Sequence, residues 1–137
     1  MTSEIRFKIK EILLKEGFQR ISETSYPSFG DFRDIYANDY LILVVTTDKG
    51  EPYIELGNSA DISKTYEVPL VKSLLLQQNC LLEQSPIEIE TQFVLINLDK
   101  IRDLFSSGRF ENTCMELDRL ELERSRILFP SWNPENN

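Results

Sequence analysis

Tyr40-Leu41-Ile42-Leu43-Val44-Val45-Thr46-Thr47 is an unbroken run of eight strand formers, apolar on both faces for most of its length. Such a run reads as a central strand covered on both sides, or at least paired on both edges. Asp48-Lys49-Gly50 follows, and Gly50 is free to take the left-handed conformation that a three-residue hairpin loop requires. Tyr53-Ile54-Glu55-Leu56 then alternates, sending Ile54 and Leu56 to the core and Glu55 to solvent. Pro52 has no N–H to donate, which suits the start of an edge strand. Upstream, Phe32-Arg33-Asp34-Ile35-Tyr36 alternates and joins the central run through Asn38-Asp39, a pair suited to a two-residue hairpin. Gln19 to Tyr26 offers a further strand before Pro27 and Gly30 punctuate the chain. The centre of the sequence therefore predicts an antiparallel meander of three or four strands, with Gly57 to Ser63 as a loop after it.

Helical periodicity flanks the meander on both sides. Ile5, Ile9, Ile12 and Leu13 place apolar groups on one face of a helix over residues 3–17, ended by Gly17 with Phe18 folding back over its last turn. Pro69 opens a second helix through Leu70, Val71, Leu74, Leu75 and Leu81. Ser85-Pro86-Ile87-Glu88 has the form of a capping box with proline at the first helical position. A long helix follows from there to Phe105, broken at Ser106-Ser107-Gly108. A last helix covers Phe110 to Leu128, with Cys114, Leu117 and Leu120 on one face. Phe129-Pro130-Ser131-Trp132 closes the ordered chain, and 133–137 is expected to fray. The fold class is α+β, one domain over 1–132, with the N-terminal and C-terminal helices packed on the sheet.

Composition narrows the function classes. The chain has 137 residues, 41% of them hydrophobic and 28% charged, which is the balance of an ordinary globule. No apolar stretch reaches the 18 or so residues that a bilayer span needs. Lys and Arg number 15 against 23 Asp and Glu, a formal net charge of −8. Phosphate binding needs a basic surface, so no nucleic acid or anionic membrane is expected as partner. The N-terminus alternates charge with hydrophobe and carries no apolar signal stretch, which predicts a cytoplasmic protein. Cys80 and Cys114 then read as two buried free thiols rather than a disulfide.

Enzyme chemistry finds little to work with. Histidine is absent, so imidazole serves neither as base nor as metal ligand. Two cysteines without a Cys-x-x-Cys pair cannot assemble a conventional zinc site, and no glycine-rich phosphate loop exists. Ser63-Lys64 and Lys72-Ser73 are adjacent in sequence only, which is not the geometry of a nucleophile and its base. Asp31 and Asp34 lie three apart, and on a strand that spacing points them to opposite faces. No catalytic residue, metal or cofactor is assigned. A carboxylate-dependent hydrolase using Asp31 and Asp34 stands as a third reading.

Charge distribution is the stronger signal. Residues 1–20 hold five bases and three acids, residues 21–70 three bases and nine acids, and residues 71–137 seven bases and eleven acids. The negative charge is densest on the meander, where Tyr26, Phe29, Phe32, Tyr36, Tyr40 and Tyr53 also gather. A compact acidic surface with tyrosines steers and holds a basic protein partner. Asp31, Asp34, Tyr36, Asp48, Glu51, Tyr53 and Glu55 are the candidate contacts.

The layout resembles a known group. The helix ending at Gly17-Phe18, then Ser28-Phe29-Gly30-Asp31, Tyr36, the apolar strand, Asp48-Lys49-Gly50-Glu51 and Ile54-Glu55-Leu56-Gly57 are similar to small acidic immunity proteins of bacterial polymorphic-toxin systems, over roughly residues 10–75. The resemblance implies an α+β cytosolic domain that binds and neutralises a cognate toxin, and it assigns no contact residue. The expected function is thus stoichiometric inhibition of a basic toxin domain. An adaptor docking its partner on the C-terminal helices, where Asp118, Glu121 and Arg124 line a stripe, is the alternative.

Overall fold

The computed structural model describes residues 2–27 and 30–131. Phe29, Trp132 and the tail 133–137 lie outside the described residues. Helix α1, Thr2–Lys15, is followed by a five-stranded antiparallel meander: β1 Gln19–Ser25, β2 Phe32–Asn38, β3 Leu41–Asp48, β4 Glu51–Asn58 and β5 Asp61–Glu67, in spatial order one to five. Four further helices complete the chain: α2 Val68–Leu76, α3 Ile87–Ile96, α4 Leu98–Leu104 and α5 Phe110–Leu128. The architecture is α+β, with five strands where the sequence predicts three or four.

The apolar run becomes β3, the middle strand. Leu41, Leu43 and Val45 join residues from α1 to α5 in one hydrophobic core. Ile42 and Val44 point to the other face and form a small separate cluster with Ile35, to which no helix contributes among the described residues. Five consecutive side chains no more than 1% exposed make β3 the strongest anchor of the sheet. Fully burying each such residue contributes roughly 1.5 to 3 kcal/mol.

Both flanking hairpins are tighter or displaced relative to the expectation. Asp48 pairs with Glu51, so the loop is Lys49-Gly50 alone, with both residues at positive φ (51° and 83°). That is the two-residue primed turn whose twist matches a hairpin. Asn38 pairs with Leu41, so the upstream loop is Asp39-Tyr40 rather than Asn38-Asp39, with Asp39 at φ 53°.

The segment read as a loop, Gly57 to Ser63, divides between β4 and β5. β5 has no alternation to betray it, because Tyr66 is its only buried residue. Gly57 is needed at the crossing: a Cβ there would stand 2.7 Å from the Lys64 carbonyl oxygen.

Among the helices, Gly17 (φ 92°) ends α1 as expected, and Phe18 is buried, its N–H reaching Leu13 O at 3.0 Å. Ile12 faces outward instead of joining Ile9 and Leu13. α2 stops at Leu76 with Gln77 in the left-handed region, so Leu81 packs into the core from the following turn. The capping box does not form: Pro86 occupies the cap of α3 and no side-chain cap hydrogen bond is made there. The predicted break at Ser106-Ser107-Gly108 is present between α4 and α5, and the long helix also breaks earlier, at Asn97, whose side-chain amide donates to Phe93 O at 2.9 Å. α5 keeps the predicted limits. Cys80 and Cys114 are both buried free thiols. No helix among the described residues is long and apolar enough to cross a membrane.

Candidate functional site: an acidic notch in the sheet edge

β5 pairs with β4 only from Glu55 to Asn58. Beyond Glu67 the chain turns away into α2, so the first half of β4 has β3 on one side and no strand on the other. The missing strand leaves a notch of about 510 Å3, walled by β4, the start of α2, residues 83–85 and α3. Pro52 at this edge was expected, although β4 is an inner strand farther along.

Two features blunt the bare edge. Pro52 presents no N–H, and the outward N–H of Ile54 donates to Glu90 Oε1 at 3.1 Å. Glu90 belongs to α3 and is only 6% exposed. Its other carboxylate oxygen accepts no hydrogen bond among the described residues. Glu90 Oε2 is not among the sealed, unpartnered polar atoms of the described residues, and Glu90 lines both this notch and the smaller cavity beside it, between α2 and α3. Burial pushes the Glu90 carboxyl up to about 7, the Ile54 N–H opposes this, and Glu67 adds repulsion.

Asp48, Glu51, Glu67 and Glu83 line the same notch, with Tyr53 and the rings of Pro52 and Pro69 between them. Asp48 and Glu51 are exposed at its mouth. Tyr53 is half-buried, its hydroxyl pKa raised first by burial and then by Glu55. The cations nearby are engaged: Lys72 Nζ holds Glu83 at 2.7 Å, and Arg124 holds Glu67 at 3.3 Å. The carboxylates are spread around the walls, and no group of three gathers as a metal ion would need, among the described residues.

Asp48, Glu51 and Tyr53 are thus brought together, while the remaining candidates are placed elsewhere. Asp34 is 1% exposed on the helix side of β2, where Arg6 Nε and Nη2 donate to its two oxygens at 2.8 and 2.6 Å. The Arg6 guanidinium also lies 4.4 Å from the centre of the Phe32 ring. Tyr36 is 1% exposed on the same face, and burial followed by Asp34 raises its hydroxyl pKa to about 12. Neither offers a surface to a partner; both are core, because even positions of β2 face the helices. Asp31 accepts the Gly50 N–H at 2.8 Å and so fastens the β3–β4 turn. Glu55 is half-buried on the sheet face away from the helices and accepts from the Thr65 hydroxyl at 3.2 Å.

Asp31 and Asp34 therefore serve separate structural bonds. Glu67, Glu83 and Glu90 escaped the sequence reading because they lie 16 to 39 residues beyond Glu51, on elements that only the fold brings back. The C-terminal stripe is bonded to its neighbours, with Asp118 accepting from Tyr66 Oη at 2.8 Å and Arg124 bridging Glu67 and Glu121, while Asp118 and Glu121 stay exposed. Removing the chain after Ser107 would also strip Leu117 and Cys114 from the core, so truncation cannot test that stripe. No family model matches the chain, and neither a curated protein nor a solved structure matches it.

Proposed function

We propose that this protein is a stoichiometric protein-binding inhibitor, a cytoplasmic domain that neutralises a basic partner in the manner of a toxin immunity protein. The observation that carries the reading is the convergence of Asp48, Glu51 and Tyr53 on one mouth, backed by Glu67, Glu83 and Glu90. Exposed carboxylates at the rim attract Lys and Arg over a distance, and the walls supply apolar surface from Pro52, Pro69 and Tyr53. The resemblance to acidic immunity proteins agrees with a face of this kind.

The test is capture on the tagged protein followed by association kinetics. A basic protein bound at equal stoichiometry, associating more slowly as salt rises, supports the reading. The double variant Asp48→Lys with Glu51→Lys should then slow association at least about tenfold at low salt. Unchanged kinetics in that variant would refute the acidic face.

A further inference from the structure

We propose that the notch is the receptor for one lysine or arginine side chain of the partner, whose cationic head pairs with Glu90 on the notch wall. The inference rests on the reading of the protein as a binder of a basic partner and names the subsite within it.

The geometry points to a side chain rather than an added strand. An incoming strand would need the backbone of β4 at this edge, but Pro52 has no N–H and that of Ile54 is already taken by Glu90. A cationic side chain needs other things, and they are present. Its methylene stem finds Pro52, Pro69 and the Tyr53 ring, and its head finds a carboxylate with an unused oxygen.

Glu90 is the feature that hydrogen bonding alone does not account for. The Ile54 N–H needs an acceptor, and a glutamine carbonyl would supply one without any charge. A carboxylate in this place is a buried group lacking a cation, which is costly unless something pairs with it. The charged and titratable groups around it are Asp48 and Glu51 at the β3–β4 turn, Tyr53 on β4, Glu67 at the end of β5, Lys72 on α2 and Glu83 in the following segment. Of these only Lys72 is cationic, and Glu83 holds it. A guest cation would favour the ionised carboxylate, so the guest enters as a proton leaves.

The experiment follows the Ile54 amide by NMR, since that N–H bonds directly to the Glu90 carboxyl. In the full-length protein its shift should titrate with a midpoint near pH 7. Nα-acetyl-arginine amide is the probe, and Nα-acetyl-glutamine amide is its uncharged control. The arginine probe should bind saturably, with an affinity on the order of 1 mM for a ligand so small. At saturation it should lower the Ile54 midpoint by about one pH unit, a tenfold preference for the ionised form. Glu90→Gln, which keeps an acceptor for Ile54, should weaken the probe about tenfold. A midpoint that the arginine probe leaves unmoved, an equal response to the glutamine control, or full binding by Glu90→Gln would each overturn the proposal. A captured partner that is sensitive to Asp48→Lys with Glu51→Lys but indifferent to Glu90→Gln would leave the acidic face standing and remove only this subsite.

Discussion

Replacing Glu90 by Gln should make the protein more stable, and only above acidic pH. In the folded state the carboxyl is held protonated up to about pH 7 by burial, against an ordinary value of 4.5. The native state therefore binds more protons than the unfolded chain within that window, and stability must fall as pH rises through it. The contribution is complete below 4.5 and lost above about 7. At 1.36 kcal/mol per pH unit, the window from 4.5 to about 7 corresponds to about 3 kcal/mol. Glutamine keeps the acceptor for Ile54 N–H and has no proton to lose, so the variant escapes this decline.

Urea unfolding of both proteins from about pH 4.5 to about pH 8.5 isolates the effect, because titrating groups that do not interact with Glu90 cancel in the difference. The variant's advantage should grow from near zero to about 3 kcal/mol, or about 10 °C in Tm for a chain of this size. Equal m values in the two proteins would show that the unfolded reference is unchanged. A difference curve that stays flat with pH would refute the view that Glu90 is a buried, cation-free carboxyl.

Three other substitutions probe the frame around the notch. Arg6→Ala strands the buried Asp34 carboxylate, so denaturant titration should show a loss of about 3 kcal/mol or more, with Asp34→Asn in the Arg6→Ala background recovering part of it. Gly57→Ala drives a methyl into the Lys64 carbonyl and forces the β4–β5 ladder apart; a loss of about 2 kcal/mol should appear in thermal unfolding. Asp48→Lys with Glu51→Lys alters exposed side chains only, so the melting curve should stay within about 0.5 kcal/mol of the parent while partner association slows.

What was legible in the sequence follows the physics of periodicity. β3 and α5 carry strong, one-sided or two-sided apolar patterns, and their limits agree with the reading to within a residue. β5 was invisible because Asp-Ile-Ser-Lys-Thr-Tyr-Glu buries one side chain and is held by backbone pairing to β4, a property that composition does not encode. The burial of Asp34 was hidden for a related reason. Charge suggests solvent, and only the arrival of Arg6 from α1, 28 residues earlier, makes that position tolerable inside. The grouping of Asp48, Glu51 and Tyr53 was legible because they cluster locally, whereas the placement of Glu90 beside them required three elements to meet.

The notch exists because two elements stop early. β5 ends at Glu67, where Val68-Pro69 begins a helix, and β4 begins at Glu51-Pro52, where the proline has no N–H to donate to an outer strand. A sheet edge left bare in this way invites another chain to pair with it. The Glu90 carboxyl closes that route by occupying Ile54 N–H, and any acceptor of the right length would close it equally well. Since glutamine would fill that role without a charge to desolvate, the requirement for an acceptor explains the bond but leaves the charge unexplained. A residue that lowers stability at neutral pH while lining an acidic cleft fits the general pattern in which binding sites hold groups the fold alone would not favour. Its compensation would come from the cation of the bound partner, which is why stability and affinity should respond to Glu90→Gln in opposite directions.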